Sequence, residues 1–248
     1  RAAFGLDAPL VRIEVHLAGG LPGYTLVGLP ATAVRESRQR VKAAIENSGF
    51  TLPRRHVVVS LAPADLPKEG GRFDLPIAVA LLAAASQLPT SEPIGLEQFE
   101  FFGELGLAGD LRAVRGLLPA ARAGALAGRH TIMPVGSGRE AARLPDATVL
   151  VAASLREVVD HLQQRACLAK PDLDAAAEVS SGPDMASVHG QFEARRALEI
   201  SAAGGHHLLL SGPPGVGKTL LANCLPGLLP PLSEVDAADV AALASLGA

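Results

Sequence analysis

Gly212-Pro213-Pro214-Gly215-Val216-Gly217-Lys218-Thr219 is the stretch that decides how this chain is read. It fits the pattern G-x-x-x-x-G-K-[ST], and its flanks supply the context that gives the pattern meaning. Before it, His207-Leu208-Leu209-Leu210-Ser211 reads as a buried strand; after it, Leu220-Leu221-Ala222-Asn223-Cys224-Leu225 reads as the first turns of a helix. A glycine-rich turn between strand and helix points successive backbone N–H groups into one concavity that cradles phosphate oxygens. Side chains at Gly212, Gly215 and Gly217 would crowd that approach or forbid the backbone angles. The expected nucleotide site is therefore Gly212, Pro213, Pro214, Gly215, Val216, Gly217, Lys218, Thr219 and Leu220. In it Lys218 reaches the β- and γ-phosphates of ATP, and the Thr219 hydroxyl ligates the accompanying Mg²⁺. The competing account, a Gly/Pro-rich turn that happens to hold a lysine, leaves the strand and helix on either side unexplained.

Upstream of the loop, a helix from Gln191 to Ala202 and the pair Gly204-Gly205 lead into the strand. Between Arg165 and about Pro183 the composition shifts to Ala, Asp, Glu, Ser and Pro without a sustained period, which reads as an interdomain linker. This divides the chain into a domain over 1–165, a linker over 166–185 and a second module over 186–248.

In the first domain, Leu10 to Leu17 alternates strictly, with Val11, Ile13, Val15 and Leu17 on one face and Arg12, Glu14 and His16 on the other, the pattern of a half-buried strand. His16 has no second ligand at metal spacing and reads as a solvated residue. A turn at 19–23 and a short strand from Tyr24 to Val27 follow. Pro30 then opens a helix that runs to Asn47 and stops at Gly49, with Val34, Val41 and Ile45 on its buried face. Arg35, Arg38 and Lys42 make a basic stripe beside that face. The stripe is either a solvated face partly countered by Glu36 and Glu46 or a contact for a phosphate backbone.

His56 to Leu61 is β-branched and reads as a central strand. The loop 62–74 that follows is rich in Pro, Gly and charge, a functional loop or an ordinary turn, and it leads into an apolar helix ending near Gln87. Glu100–Leu105 and Leu111–Val114 flank 106–110 as a hairpin. Helix Leu117–Leu126, strands His130–Met133 and Thr148–Ala152, and a helix opened by the capping box Ser154-Leu155-Arg156-Glu157 complete the domain.

Composition bounds the partners. The 248 residues are 48% hydrophobic, ample for one large domain or two smaller ones. A net charge of −3 from 22 basic and 25 acidic residues excludes nucleic-acid binding through bulk charge, so such contact must come from a local patch. Cys167 and Cys224 make no zinc or C-x-x-C spacing and are expected as free thiols. The longest apolar run, Leu75 to Ala85, is too short to span a bilayer and contains Pro76. With no basic-then-apolar leader at Arg1, the cytoplasm is the expected compartment.

Two long stretches carry a family resemblance. One is Gly28-Leu29-Pro30, then Ala33-Val34-Arg35-Glu36-Ser37-Arg38, continuing to Asn47-Ser48-Gly49-Phe50; the other is Leu61-Ala62-Pro63-Ala64-Asp65-Leu66-Pro67-Lys68-Glu69-Gly70 with Phe73-Asp74-Leu75-Pro76. Together with Gly190-Gln191 and the phosphate loop, they resemble the magnesium-chelatase-like AAA+ proteins of the ComM/YifB family. The resemblance implies a mixed α and β chain: a Lon-protease-type domain with a ribosomal protein S5 domain 2-like fold, followed by the first part of a P-loop α/β AAA+ domain. It further implies a hexamer of ATPase subunits that migrates branched DNA during natural transformation and recombination.

Lon proteases use a serine after a Pro-Lys-Asp-Gly-like loop and a lysine beyond a Gly-Glu hairpin. Pro67-Lys68-Glu69-Gly70 and Gly103-Glu104-Leu105 match those surroundings, but Asp74 stands near the nucleophile's place and Leu117 near the general base's. The domain is thus expected to be proteolytically dead and kept for assembly or nucleic-acid contact. Beyond the loop, Glu234, Asp236 and Asp239 follow Pro230-Pro231 without the apolar strand of a Walker B carboxylate, and no sensor or arginine finger is visible. The chain reads as the ATP-binding portion of a longer ATPase acting on branched or single-stranded DNA, with no membrane partner. The expected DNA contacts are Arg35, Arg38, Lys42, Lys68 and Arg72. A chelatase-type ATPase subunit and a non-catalytic ring-assembly module are the alternatives.

Overall fold

The computed structural model of the protein describes residues 1–28, 31–88, 95–142, 144, 147–172 and 182–247. In β1 (Arg12–Ala18), Ile13, Val15 and Leu17 turn inward while Arg12, Glu14 and His16 stay exposed, as a period of two requires. β2 (Gly23–Val27), α1 (Thr32–Asn47) and β3 (His56–Ala62) follow. The β-branched β3 is indeed central: the sheet runs β1-β3-β2, with β1 antiparallel to β3 and β2 parallel to it. A parallel neighbour requires a crossover, and α1 is that crossover. Its Val34, Val41 and Ile45 are buried, and it ends where Gly49 takes φ +82°. The expected helix start at Pro30 lies outside the described residues.

Helix α2 (Asp74–Ala84) is buried around most of its circumference, and the face it leaves half-buried carries Pro76, Ala80 and Ala83, so it reads as apolar without a polar face. Leu75, Ile77, Leu81 and Leu82 join Val57, Val59 and Leu61 of β3 and Val41 and Ile45 of α1 in one core. Each such side chain contributes about 1.5–3 kcal/mol through burial.

The strand expected over 100–105 divides in two. β4 (Phe99–Phe101) belongs to one sheet, and only β5 (Glu104–Leu105) forms the hairpin with β6 (Leu111–Arg112). The break is at Phe102-Gly103, where a Cβ on Gly103 would stand 2.8 Å from Leu111. Next come α3 (Leu118–Leu126), β7 (His130–Pro134), α4 (Val135–Ala141), β8 (Val149–Ala152) and α5 (Leu155–Leu162). Strands β4, β7 and β8 form a parallel sheet in that order. Helix α4 is not among the expected elements, and glycine at 136 and 138 disfavours a helix. Gly138 is instead a packing site, since a Cβ there would lie 2.3 Å from Val151. At α5 the Ser154 hydroxyl accepts from the Glu157 N–H, while the Glu157 carboxylate reaches back to the Ala153 N–H.

The contacts divide the chain into Arg1–Leu173 with Glu234–Ala248, and Asp174–Ser233. The first part of the expected linker belongs to the first unit, because the Val151 N–H donates to the Ala169 carbonyl; residues 173–181 lie outside the described ones. The second unit contains a 3₁₀ turn at Met185–Ser187, α6 (Phe192–Gly204) and α7 (Lys218–Leu228), closed around Met185, Val188, Leu198, Leu221 and Cys224. The last helix, α8 (Glu234–Gly247), packs in the first unit, with Ala242 buried among Phe102, Leu117 and Met133.

The strand expected at His207–Ser211 is not one. The segment pairs with no described strand, Leu208 is exposed and Leu209 is 90% exposed. A strand exists through its ladder, and the second unit, as described, offers no neighbour to build one. Among the described residues, no helix is long and apolar enough to cross a membrane.

Candidate nucleotide-binding site

Residues 212–219, the expected phosphate loop, contain glycines in the left-handed region. Gly215 and Gly217 lie at φ +84° and +87°, a region that strains any residue with a Cβ. Space is not the reason for them, because a Cβ at either position would meet no atom within 4 Å. Gly217 is also the N-cap of α7, and among the described residues no side chain caps that end. The free N–H groups of the first turn and the positive end of the helix dipole are therefore left for an anion.

Lys218 is the first residue of α7, and its Nζ donates to the Gly212 carbonyl at 2.9 Å and to the Pro213 carbonyl at 2.7 Å. The ammonium is thus held across the loop by neutral acceptors, which an anionic acceptor outcompetes. Lys218 is half-buried, Pro213, Pro214, Val216, Thr219 and Leu220 are exposed, and Leu221 and Cys224 anchor the helix in the core of the second unit. An exposed hydroxyl next to the lysine, uncapped N–H groups and two positive-φ glycines together fit a polyphosphate with Mg²⁺. Among the described residues, no group of three or more His, Cys, Asp and Glu stands ready to hold a metal by itself.

One contact here had no sequence signal beyond the pair Gly190-Gln191. The Gln191 side-chain amide donates from Nε2 to the Val216 carbonyl at 3.1 Å, tying the entrance of α6 to the phosphate loop.

The acidic residues after the loop are engaged elsewhere. Asp239 on α8 accepts from Arg122 of α3, Asp236 also has a partner, and the Glu234 side chain lies outside the described residues.

In the first unit, Asp74 occupies the first position of α2 at 0% exposure. Arg40 grips it with two hydrogen bonds, Nε to Oδ2 at 2.6 Å and Nη2 to Oδ1 at 3.1 Å, and the Leu105 N–H donates to Oδ2 at 3.2 Å. Burial pushes the Asp74 carboxyl up and Arg40 pulls it back, while the same hydrogen bonds raise Arg40. Leu117 is buried in the second core cluster. Asp74, which the sequence sets near the place expected of a Lon nucleophile, is thus closed in an ion pair, and Leu117, set near that of its base, is packed among apolar side chains.

The five expected DNA contacts divide. Arg38 and Lys42 are exposed on α1, with the Arg38 guanidinium 5.4 Å from the centre of the Tyr24 ring; the Arg35 side chain lies outside the described residues. Lys68 and Arg72 do not fit that role. Lys68 is fully buried with its Nζ on the Pro63 carbonyl, and Arg72 is 7% exposed with Nη2 donating to the Arg115 carbonyl at 3.1 Å. Burial lowers the pKa of both, and a charge enclosed by its own loop cannot meet a phosphate.

Comparison with known proteins places these features. Residues 13–137 match the family described as subunit ChlI of Mg-chelatase, and residues 184–248 match magnesium chelatase, subunit ChlI. The chain is 48% identical to the YifB protein of Salmonella typhimurium over 246 residues, covering 99% of this chain and 48% of that one. It is 47% identical to competence protein ComM of Haemophilus influenzae over 251 residues, covering 99% and 49%. With protein Mb2921c of Mycobacterium bovis the identity is 42% over 246 residues, covering 99% and 48%. The chain spans about half the length of these relatives.

Proposed function

Because the chain belongs to the magnesium-chelatase ChlI family, in the ComM/YifB branch, we propose that it is the ATP-binding portion of an AAA+ ATPase that works on DNA. The observation that carries this reading is the 47% identity along 99% of the chain to a protein named for competence. In this reading the assembled protein is a hexamer that migrates branches in DNA during transformation and recombination.

The residues of this chain do the binding half of the work. The N–H groups at the start of α7 orient phosphate oxygens, Lys218 leaves the Gly212 and Pro213 carbonyls to neutralise the β- and γ-phosphates, and Thr219 holds Mg²⁺. Bound Mg²⁺-ATP supplies the phosphoanhydride bond whose hydrolysis drives the motor. The acidic and arginine groups that activate water are assigned to no residue here. Arg38 and Lys42, with Arg35 beside them, remain the DNA-facing stripe. The first unit acts as a proteolytically silent module, a reading supported by the Arg40–Asp74 pair in place of a nucleophile.

The family's own description favours one other reading, an ATPase subunit that drives Mg²⁺ into a tetrapyrrole. ATP hydrolysis by the full-length protein of which this chain is the proposed portion, with and without branched DNA at two salt concentrations, separates the two. Salt-sensitive stimulation by DNA is expected. Each phosphate contact removed at Arg38 or Lys42 should lower the salt slope of binding by about one. Hydrolysis indifferent to DNA but stimulated by a porphyrin-loaded partner would replace the DNA reading with the chelatase one.

A further inference from the structure

The contact between Gln191 and the phosphate loop is long in sequence and specific in consequence. Val216 sits between Gly215 and Gly217, both at positive φ, so the peptide planes on either side of it are the least restrained in the loop. A trans peptide is planar, and its C=O and N–H point in opposite directions. Whatever fixes the Val216 carbonyl therefore also aims the Gly217 N–H. That fixing group is the Gln191 amide, 3.1 Å away and 25 residues earlier in the chain.

The base of this tether is itself firm. The Gln191 carbonyl accepts from the Arg195 N–H at 2.9 Å, and Arg195 Nη1 donates to the Val188 carbonyl at 3.3 Å. Val188 and Met185 are buried against Leu221 and Cys224 of α7, the helix that the loop opens. Both ends of the loop's support thus rest on one packed body.

Gln191 also holds an unfavourable backbone, φ +54° and ψ +37°, directly after Gly190 at φ +70°. Glycine or asparagine would adopt that conformation at lower cost. What glutamine adds at this position is a side chain long enough to reach Val216; asparagine is one methylene short.

We propose that Gln191 is a positioning residue for nucleotide binding, pinning the Val216–Gly217 peptide so that the Gly217 N–H faces the phosphates. This rests on the reading of 212–219 as the nucleotide site. The test compares Gln191→Gly, Gln191→Asn and Lys218→Ala in the full chain, reading affinity for a fluorescent ATP analogue with Mg²⁺ and the thermal midpoint of each protein. Both Gln191 variants should keep the wild-type midpoint or exceed it, because their backbones relax. Both should bind the analogue about threefold to tenfold more weakly, the loss of one exposed hydrogen bond. In hydrolysis by the full-length protein of which this chain is the proposed portion, the loss should fall on KM and leave kcat nearly unchanged. Wild-type affinity in either Gln191 variant overturns the proposal while Lys218→Ala still abolishes binding. Binding that survives Lys218→Ala overturns the site reading and the proposal together.

Discussion

Residues 62–74 and 211–218 share a local plan. Each leaves an apolar segment, contains proline and glycine, holds a lysine whose Nζ donates to the carbonyl of a proline five residues earlier, and runs on to a helix. Around Lys68 the chain closes, so that the lysine is fully buried and α2 begins with an aspartate already paired to Arg40. Around Lys218 the loop stays open, and α7 begins without a side-chain cap. The same short-range chemistry thus gives a structural lysine in one place and a ligand-ready one in the other. Enclosure by the rest of the fold makes the difference, and no local motif contains it.

Lys218→Ala gives the strongest test of that contrast. It should weaken ATP binding by about 100-fold or more while the melting temperature holds, since the Lys218 amine supports no packed core. Equilibrium binding and a thermal melt on the same sample check it, and a matching loss of stability would make the two lysines alike after all.

Arg40→Ala examines the closed side. It strands the Asp74 carboxylate in the core and should cost about 3–5 kcal/mol of folding stability. The cost should shrink at acid pH, because a protonated Asp74 needs no cation. Urea unfolding across pH reads both effects.

Tyr24 offers a smaller measure of enclosure in the same unit, since burial pushes its phenol up to about 12. A group whose folded pKa exceeds its unfolded value near 10 contributes stability that is complete below pH of about 10 and lost as the pH climbs to about 12, in all about 2–3 kcal/mol. The chain has one tyrosine and no tryptophan, so ultraviolet absorbance follows that phenol alone. Titration near pH 10 in the folded protein would contradict it.

The least effect is expected of Lys68→Met. An apolar chain of similar volume in place of a desolvated amine should leave stability within about 1 kcal/mol, on the stabilising side, and nucleotide affinity unchanged. A drop in nucleotide or DNA binding would return Lys68 to the list of contacts.

Much of this was legible in advance, because period and punctuation are local. The alternation over Leu10–Leu17, the β-branched centre of β3 and the glycine turn that opens α7 all follow from neighbours within a turn or two. What escaped depended on residues far apart. Glu100–Leu105 reads as one strand until the partner of Phe99–Phe101 proves to be His130–Ile132, and helix α4 goes unread because Gly138 serves to let Val151 pack beside it. Lys68 and Arg72 looked like free cations because sequence shows charge and not enclosure. The Gln191 tether crosses 25 residues with no pattern to announce it.

The unpaired segment at His207–Ser211 also governs how this chain behaves in a tube. A segment that joins no strand ladder among the described residues and carries the exposed Leu208 and Leu209 is a place where a second copy can build a strand. At high concentration self-association should begin there, and a charge at Leu209 should delay it.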